Sequence, residues 1–229
     1  MSQPTTQAKL SIIVPVLNEC AHIGALSRLA ERCKAAPIEL ILVDGGSSDN
    51  SKSFAEAAGL TVIHSDRGRA KQMNAGARHA KGALLLFLHA DTQLSGEALE
   101  ALLTLPDDIL WGRFDVDIQG QSRLFPLISF FINWRSRLSG IATGDQAIFV
   151  QSSLLHRIGL FPVQDLMEDI ELSKRLKRIR RPICLKNTVM TSGRRWDQRG
   201  VWRTIFLMWR LRLSYWLGKS PEAIAREYQ

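Results

Sequence analysis

Residues 84 to 91 read LLLFLHAD, five large apolar side chains that end on His89, Ala90 and Asp91. An uninterrupted apolar run of this length fits a strand covered on both faces. The segments upstream repeat the theme. LSIIVPVL (10–17), IELILVD (38–44) and TVIH (61–64) read as strands. Between them, ECAHIGALSRLAERCKA and SDNSKSFAEAAG read as helices, the second opened by Ser or Asp as N-cap, and RAKQMNAGARHAKG as a helix closed by Gly82. SGEALEALLTL follows the fourth strand as a helix capped by Ser95. Strands alternating with helices predict an α/β fold, a mostly parallel central sheet with helices on both faces.

Beyond Pro106 the pattern loosens. WGRFDVDIQG and TGDQAIFVQ read as strands, SRLFPLISFFINWRSRLSG as a helix broken near Pro126, and MEDIELSKRLKRI as a helix behind an acidic entrance. The last forty residues read as helical from about Gly200. No linker divides the chain, so residues 1–229 are expected as one unit. Within it, residues 10–105 form one half, 106–200 a second, and 201–229 a basic, Trp-rich helical tail.

The 229 residues suffice for a sizeable core without a disulfide or structural metal. Cys20, Cys33 and Cys184 are odd in number and scattered, which suits a reducing compartment. No leader pattern is visible, and no apolar run reaches the ~18 residues of a spanning helix. A cytoplasmic chain is expected. The net charge of +8 is uneven: thirteen Lys or Arg face one acid, Asp197, between Lys174 and Arg212. That stretch points to an anionic partner or to a solvated basic face.

In open parallel sheets, ligands bind beyond the carboxyl ends of the strands. Here the first strand runs into Asn18 and Glu19, the second into Asp44, and the fourth into His89 and Asp91. Asp44 alone fits a turn, and Asp91 alone fits a helix cap. Three polar strand ends on one rim read better as a site. Gly45, Gly46, Ser47 and Ser48 offer a tight polar turn, while Arg67, Arg69 and Lys71 could face a pyrophosphate or simply solvent. Neither Gly-rich loop matches a dinucleotide or P-loop fingerprint.

In order and spacing, IIVPVLNE, ILVDGGSSD, NAG, LLLFLHAD and MEDIEL resemble a family 2 glycosyltransferase of the GT-A fold, over roughly residues 10 to 175. Within that family, the likeness extends to short bacterial members associated with arsenosugar biosynthesis. The resemblance implies an inverting transfer of a sugar from a nucleotide-diphosphate donor to a hydroxyl acceptor, assisted by Mn²⁺ or Mg²⁺. Asp91 would bind the divalent cation, which prefers oxygen ligands and offsets charge on the departing diphosphate. Donor contacts would fall on Pro15, Leu17, Glu19, Asp44, Gly46, Arg69, Lys71, His89 and Ala90. Three departures bear on the donor: His89 replaces the usual Asp, Gly45 a second Asp, and Leu17 a base-stacking aromatic.

The same resemblance makes Asp169, beside Glu168, the general base for the acceptor hydroxyl. Neighbouring Glu168, Glu171 and Asp165 would raise its pKa by repulsion. Read locally, these acids simply favour a helix N-terminus. TGDQAIFV places Gly144, Asp145 and Gln146 near donor sugar and acceptor. In SGRRWDQRG, Arg195 and Trp196 would close over diphosphate or acceptor, or else stack on the surface. Ser192 stands where processive members carry Gln, which argues against polymer synthesis.

From 201 to 217, tryptophans alternate with arginines, as in an interfacial helix on anionic lipid; tryptophans packed on the core would look similar. Two rival readings are weaker. A nucleotidyltransferase of similar fold needs a basic Gly-rich loop where LNECAHIG stands. A non-catalytic RNA-binding protein would leave the acidic rim unexplained, so nucleic acid is not expected as a partner. The sequence carries no signal for an oligomeric state.

Overall fold

The computed structural model describes residues 8 to 228. Eight strands form one sheet in the order β3-β2-β1-β4-β7-β6-β8-β5. These are β1 Leu10–Val16, β2 Ile38–Asp44, β3 Thr61–His64, β4 Leu84–Phe87, β5 Thr92–Gln93, β6 Trp111–Gln119, β7 Phe149–Gln151 and β8 Ile183–Ser192. β1 to β4 run parallel, and β6 runs parallel to β8. β7 is antiparallel to β4 and β6, and β5 to β8.

The helices are α1 Ile23–Cys33, α2 Ser51–Ala57, α3 Arg69–His79, α4 Gly96–Leu103, α5 Phe125–Ser139, α6 Ser152–Arg157, α7 Glu168–Ile179, α8 Arg194–Arg199, α9 Val201–Trp216 and α10 Pro221–Tyr228. Alternation along β1 divides the core between two faces. Ile12, Val14 and Val16 meet Leu26 and Leu29 of α1 and Leu99 of α4 on one side. Ile13 points the other way, into a cluster with Met73 and Ala77 of α3 and Leu172 and Leu176 of α7. Helices cover both faces, so the strands can be apolar throughout.

Several expected boundaries differ. β4 stops at Phe87, and His89 and Asp91 lie in the loop beyond it. The reason is pairing: β7, its antiparallel neighbour, reaches only to Leu86 in register, and Leu88 donates its N–H to Ile13 as the last bond on the other side. α3 closes at His79, with Ala80 already extended, rather than at Gly82. Pro126 sits in the first turn of α5, where its missing N–H has no intrahelical partner to lose, so it opens the helix instead of breaking it. In TGDQAIFVQ only Phe149–Gln151 is strand; Gly144–Gln146 is a 3-10 turn closed by a reciprocal Thr143–Gln146 cap. β8 was not expected, yet it pairs along most of β6.

α9 turns Thr204 and Leu211 inward and leaves Trp202, Trp209 and Trp216 exposed. Its tryptophans therefore do not pack on the core. No helix among the described residues is long and apolar enough to cross a membrane.

Candidate active site at the strand rim

The parallel register brings the rim together. Val16 pairs with Asp44 and Asp44 with His64, so β1, β2 and β3 end level. Buried Gln72 of α3 locks this edge by donating Nε2 to the carbonyls of Val16 and Val43, both at 2.8 Å. Gly45 is required there, because a Cβ would come within 2.8 Å of the Gln72 carboxamide. The loop after β1 is tied to the loop after β2. Asn18 Oδ1 accepts from Ser48 N at 2.8 Å, and the Ser51 hydroxyl accepts from Glu19 N at 2.8 Å.

The buried Asp44 carboxylate accepts from the backbone N–H groups of Gly46 and Ser47 at 3.0 and 3.2 Å. It thus shapes its own turn at the rim, as the local reading of that residue holds. Pro15 lies in the last part of β1, and Leu17 sits half-buried just beyond it. Ala90 is buried. Lys71 turns to Asp66 at 3.4 Å on the exposed side.

The point of convergence is Gly144. Its N–H donates to Asp169 Oδ2 at 2.7 Å, and a Cβ on it would lie 2.6 Å from His89 Nε2. The loop after β4, the 3-10 turn and the start of α7 therefore meet at one spot. They enclose a small cavity of about 10 Å³ with Arg69, Phe87 and Phe161, room for a single water. Asn74 holds the far wall by exchanging two 2.9 Å hydrogen bonds with the backbone of Phe161. Met167, immediately before α7, takes a left-handed φ of 65°, a backbone strain of roughly 1–2 kcal/mol.

The electrostatics are uneven. Glu168 is buried, with Arg69 3.6 Å away. Burial, then the neighbouring Asp169 charge, push its carboxyl up to about 7, with Arg69 opposing. Acid crowding at this entrance is limited: Glu171 pairs with Lys174 and Arg175, and Asp165 is exposed, so only Glu168 and Asp169 lie close together. Burial and the charges of Arg69 and Arg195 hold the His89 imidazole down at about 3. It is a neutral group at physiological pH, suited to hydrogen bonding or metal ligation.

Asp91 is half-buried at the rim and faces Glu19 closely enough for its charge to raise the Glu19 pKa, after burial, while His22, Arg194 and Arg195 oppose. Among the described residues, no three His, Cys, Asp or Glu are grouped to cage a metal. A single well-placed carboxylate with a neutral imidazole nearby still fits Mg²⁺ or Mn²⁺, which commonly take one or two protein ligands and complete their shell with phosphate and water. Arg195 donates to the Tyr228 hydroxyl at 2.8 Å, whereas Trp196 packs into the cluster of Ile118, Phe125 and Ile128.

Other residues at the site carry no local signal. Asn133 of α5 pairs both backbone groups of Val116 at 2.9 Å and accepts from Gln146 at 3.2 Å, bracing the 3-10 turn. Arg135 of α5 has Nε and Nη2 buried without a hydrogen-bond partner among the described residues, and so has Asp145 Oδ1. Burial and nearby Arg212 push Arg135 down to about 10, while the charges of Asp145 and Asp169 oppose.

Comparison with known proteins identifies the family and the fold. The family model described as glycosyl transferase family 2 matches residues 11–154. An uncharacterized glycosyltransferase of Mycobacterium tuberculosis is 31% identical across 80% of this chain and 74% of its own. Undecaprenyl-phosphate 4-deoxy-4-formamido-L-arabinose transferase of Yersinia enterocolitica is 30% identical over 60% of this chain. The chain spans 44% of that relative and 52% of its Serratia proteamaculans counterpart, about half of each. Among solved structures, a Pyrobaculum calidifontis mannosyltransferase in complex with GDP-Man and Mn²⁺ superimposes with a TM-score of 0.64 at 19% identity, covering 100% of this chain and 71% of that one. Glucosyl-3-phosphoglycerate synthase of M. tuberculosis, in complex with Mn²⁺, UDP and phosphoglyceric acid, gives 0.59 at 17% identity, over 80% of this chain and 69% of its own.

Proposed function

The chain belongs to glycosyl transferase family 2, and from that premise we propose that it moves a sugar from a nucleoside-diphosphate donor to a hydroxyl acceptor with inversion at the anomeric carbon. The observation that carries this reading is the meeting of Asp169, Gly144 and His89 at the end of the parallel strands. Asp169 is the base. Its Oδ2 is aimed by the Gly144 N–H and its Oδ1 accepts from Ile170 N at 2.7 Å, which fixes the carboxylate to receive the acceptor proton.

Glu168 and Arg69 act beside it. A buried carboxyl near 7 is about half protonated at neutral pH, so it holds the Arg69 guanidinium less firmly than a fully ionised carboxylate would and leaves it freer to meet an anionic leaving group. Asp91 would hold the divalent cation, with His89 as its neutral neighbour; when bound, that ion would offset negative charge on the departing diphosphate. Asn133 and Gln146 keep the 3-10 turn in place on the acceptor side. Residues 10–105 serve the donor and 106–200 the acceptor, in one domain. The lipid-phosphate acceptor in the name of the Yersinia relative suits a reading in which the basic tail touches an anionic membrane.

Asp169→Asn tests the base. Transfer is expected to fall by about 10²- to 10⁴-fold, the usual worth of a positioned base, while nucleotide binding persists. Transfer within about tenfold of wild type would remove Asp169 from that role.

A further inference from the structure

Among the described residues, fifteen large apolar side chains are exposed, and eleven of them lie on α5 or on α9 and its cap. On α5 they are Leu127, Phe130, Phe131, Trp134 and Leu138, spaced so that all fall on one side of the helix. On α9 they are Trp202, Phe206, Trp209, Leu213 and Trp216, alternating by four and three residues in one continuous stripe, with Leu217 at its end. The N-terminal turns of the two helices meet in one cluster beneath these stripes, where Val201 and Ile205 of α9 pack on Phe125 and Ile128 of α5. The helices therefore lie side by side with their apolar stripes outward. Scattered exposed apolar residues need no explanation, but two adjoining stripes of this size mark an interface.

We infer that the outer faces of α5 and α9 form one docking surface for an anionic lipid bilayer, on which both helices lie in the plane of the headgroups. The inference rests on the membrane reading of the tail proposed above, and adds to it a second helix that the tail does not include.

Composition and charge select this occupant. Trp, Phe and Leu backed by arginine are what an interfacial helix presents, since an indole is apolar on its faces and polar at its N–H. Exposed Arg123 precedes α5, and exposed Arg203 and Arg210 flank the α9 stripe. Beside that stripe an open groove of about 600 Å³ is lined by Arg199, Arg203, Arg210, Glu227 and Tyr228, a place where an anionic headgroup meets cationic side chains. Thirteen bases against one acid over residues 174–212 set the same sign for the surrounding surface. A second copy of the chain would bring an equally basic face against this one.

The test is vesicle flotation of the full chain. Phosphatidylcholine vesicles are compared with vesicles containing phosphatidylglycerol, for wild type, Phe130→Ser/Trp134→Ser on α5 and Trp209→Ser/Trp216→Ser on α9. Circular dichroism and UDP or GDP titration confirm that each variant is folded. Wild type is expected on the anionic vesicles, more weakly at high salt, and each double variant is expected to partition at least about tenfold less.

An α5 variant that floats like wild type would overturn the two-helix surface and leave the tail reading standing. Failure of wild type to float, with nucleotide binding intact, would remove membrane docking while sparing the donor site. Equal binding to neutral vesicles would overturn the anionic preference. Self-association in sedimentation, lost in both variants without vesicle binding, would assign the face to a second copy instead.

Discussion

Gly144→Ala is the most demanding small change the site offers. The added Cβ would stand 2.6 Å from His89 Nε2, 2.9 Å from His89 Cε1 and 3.7 Å from Asp169 Oδ2. Ordinary contact begins near 3.4 Å, so the imidazole or the turn must retreat by about 0.8 Å. Retreat of the turn is hindered, and retreat of the ring has little room. Behind the turn, Thr143 and Gln146 are locked by their reciprocal cap and by Asn133. Beside the ring, only the small cavity of about 10 Å³ that it shares with Phe87 and Phe161 offers space.

An overpacking of this kind costs about 1–3 kcal/mol, or a fall in Tm of roughly 2–12 °C for a chain of this size. Since the Gly144 N–H also aims Asp169, a displacement approaching 1 Å is expected to lower kcat by about 10²-fold. Nucleotide binding, which also draws on the β1 and β2 ends and on Asp91, should fall less than kcat. The assay is single-turnover transfer beside nucleotide titration and a thermal melt. A variant with wild-type kcat and an unmoved Tm would refute the convergence of the three loops on which the catalytic reading depends.

The remaining predictions concern the same rim. For Glu168, a carboxyl raised in the fold from 4.5 to about 7 costs nothing below pH 4.5, where it is neutral folded and unfolded, and its penalty grows as pH rises to about 7. The full penalty is on the order of 3 kcal/mol, so Glu168→Gln should become more stable relative to wild type between pH 5 and 8, less up to ~1 kcal/mol for the lost Arg69 pair. Urea unfolding at the two pH values checks this, and parallel profiles would contradict it. Gln72→Leu removes two buried hydrogen bonds that join α3 to β1 and β2, and should cost about 2 kcal/mol by denaturant unfolding together with weaker nucleotide binding. A neutral outcome on both counts would mean that the Gly45 turn does not depend on it.

The elements that were legible in the sequence are those with a local cause. β1, β2 and the α3 start follow from apolar runs broken by helical spacing, and Ser95 caps α4 as its side chain suggests, accepting from Ala98 N. What was not legible depends on partners far along the chain. β8 carries Lys186, Asn187 and Thr188 in its middle and has no clear strand pattern, yet β6 supplies its hydrogen bonds from about seventy residues upstream. Gln72 looks like an ordinary helical residue until it meets carbonyls of β1 and β2.

At the site, the acid pair of α7 was legible as a pair, but which member is buried was not. Helix phase decides it, placing Glu168 against Arg69 and Asp169 against Gly144. Asp44 shows the reverse case. Its local turn-forming tendency, visible as D-G-G-S, is what the structure uses. The apolar run FPLISFFINW leaves open whether α5 is amphipathic or buried, and only the tertiary fold turns half of it to solvent.

The central claim is a metal-assisted donor site at the strand rim, and calorimetric titration of UDP and GDP into wild type and Asp91→Ala, with and without Mn²⁺, tests it most directly. The account predicts that one nucleotide binds wild type only when Mn²⁺ is present, and that Asp91→Ala loses this metal-dependent binding. Binding of neither nucleotide to wild type, or metal-dependent binding that survives in Asp91→Ala, would contradict it.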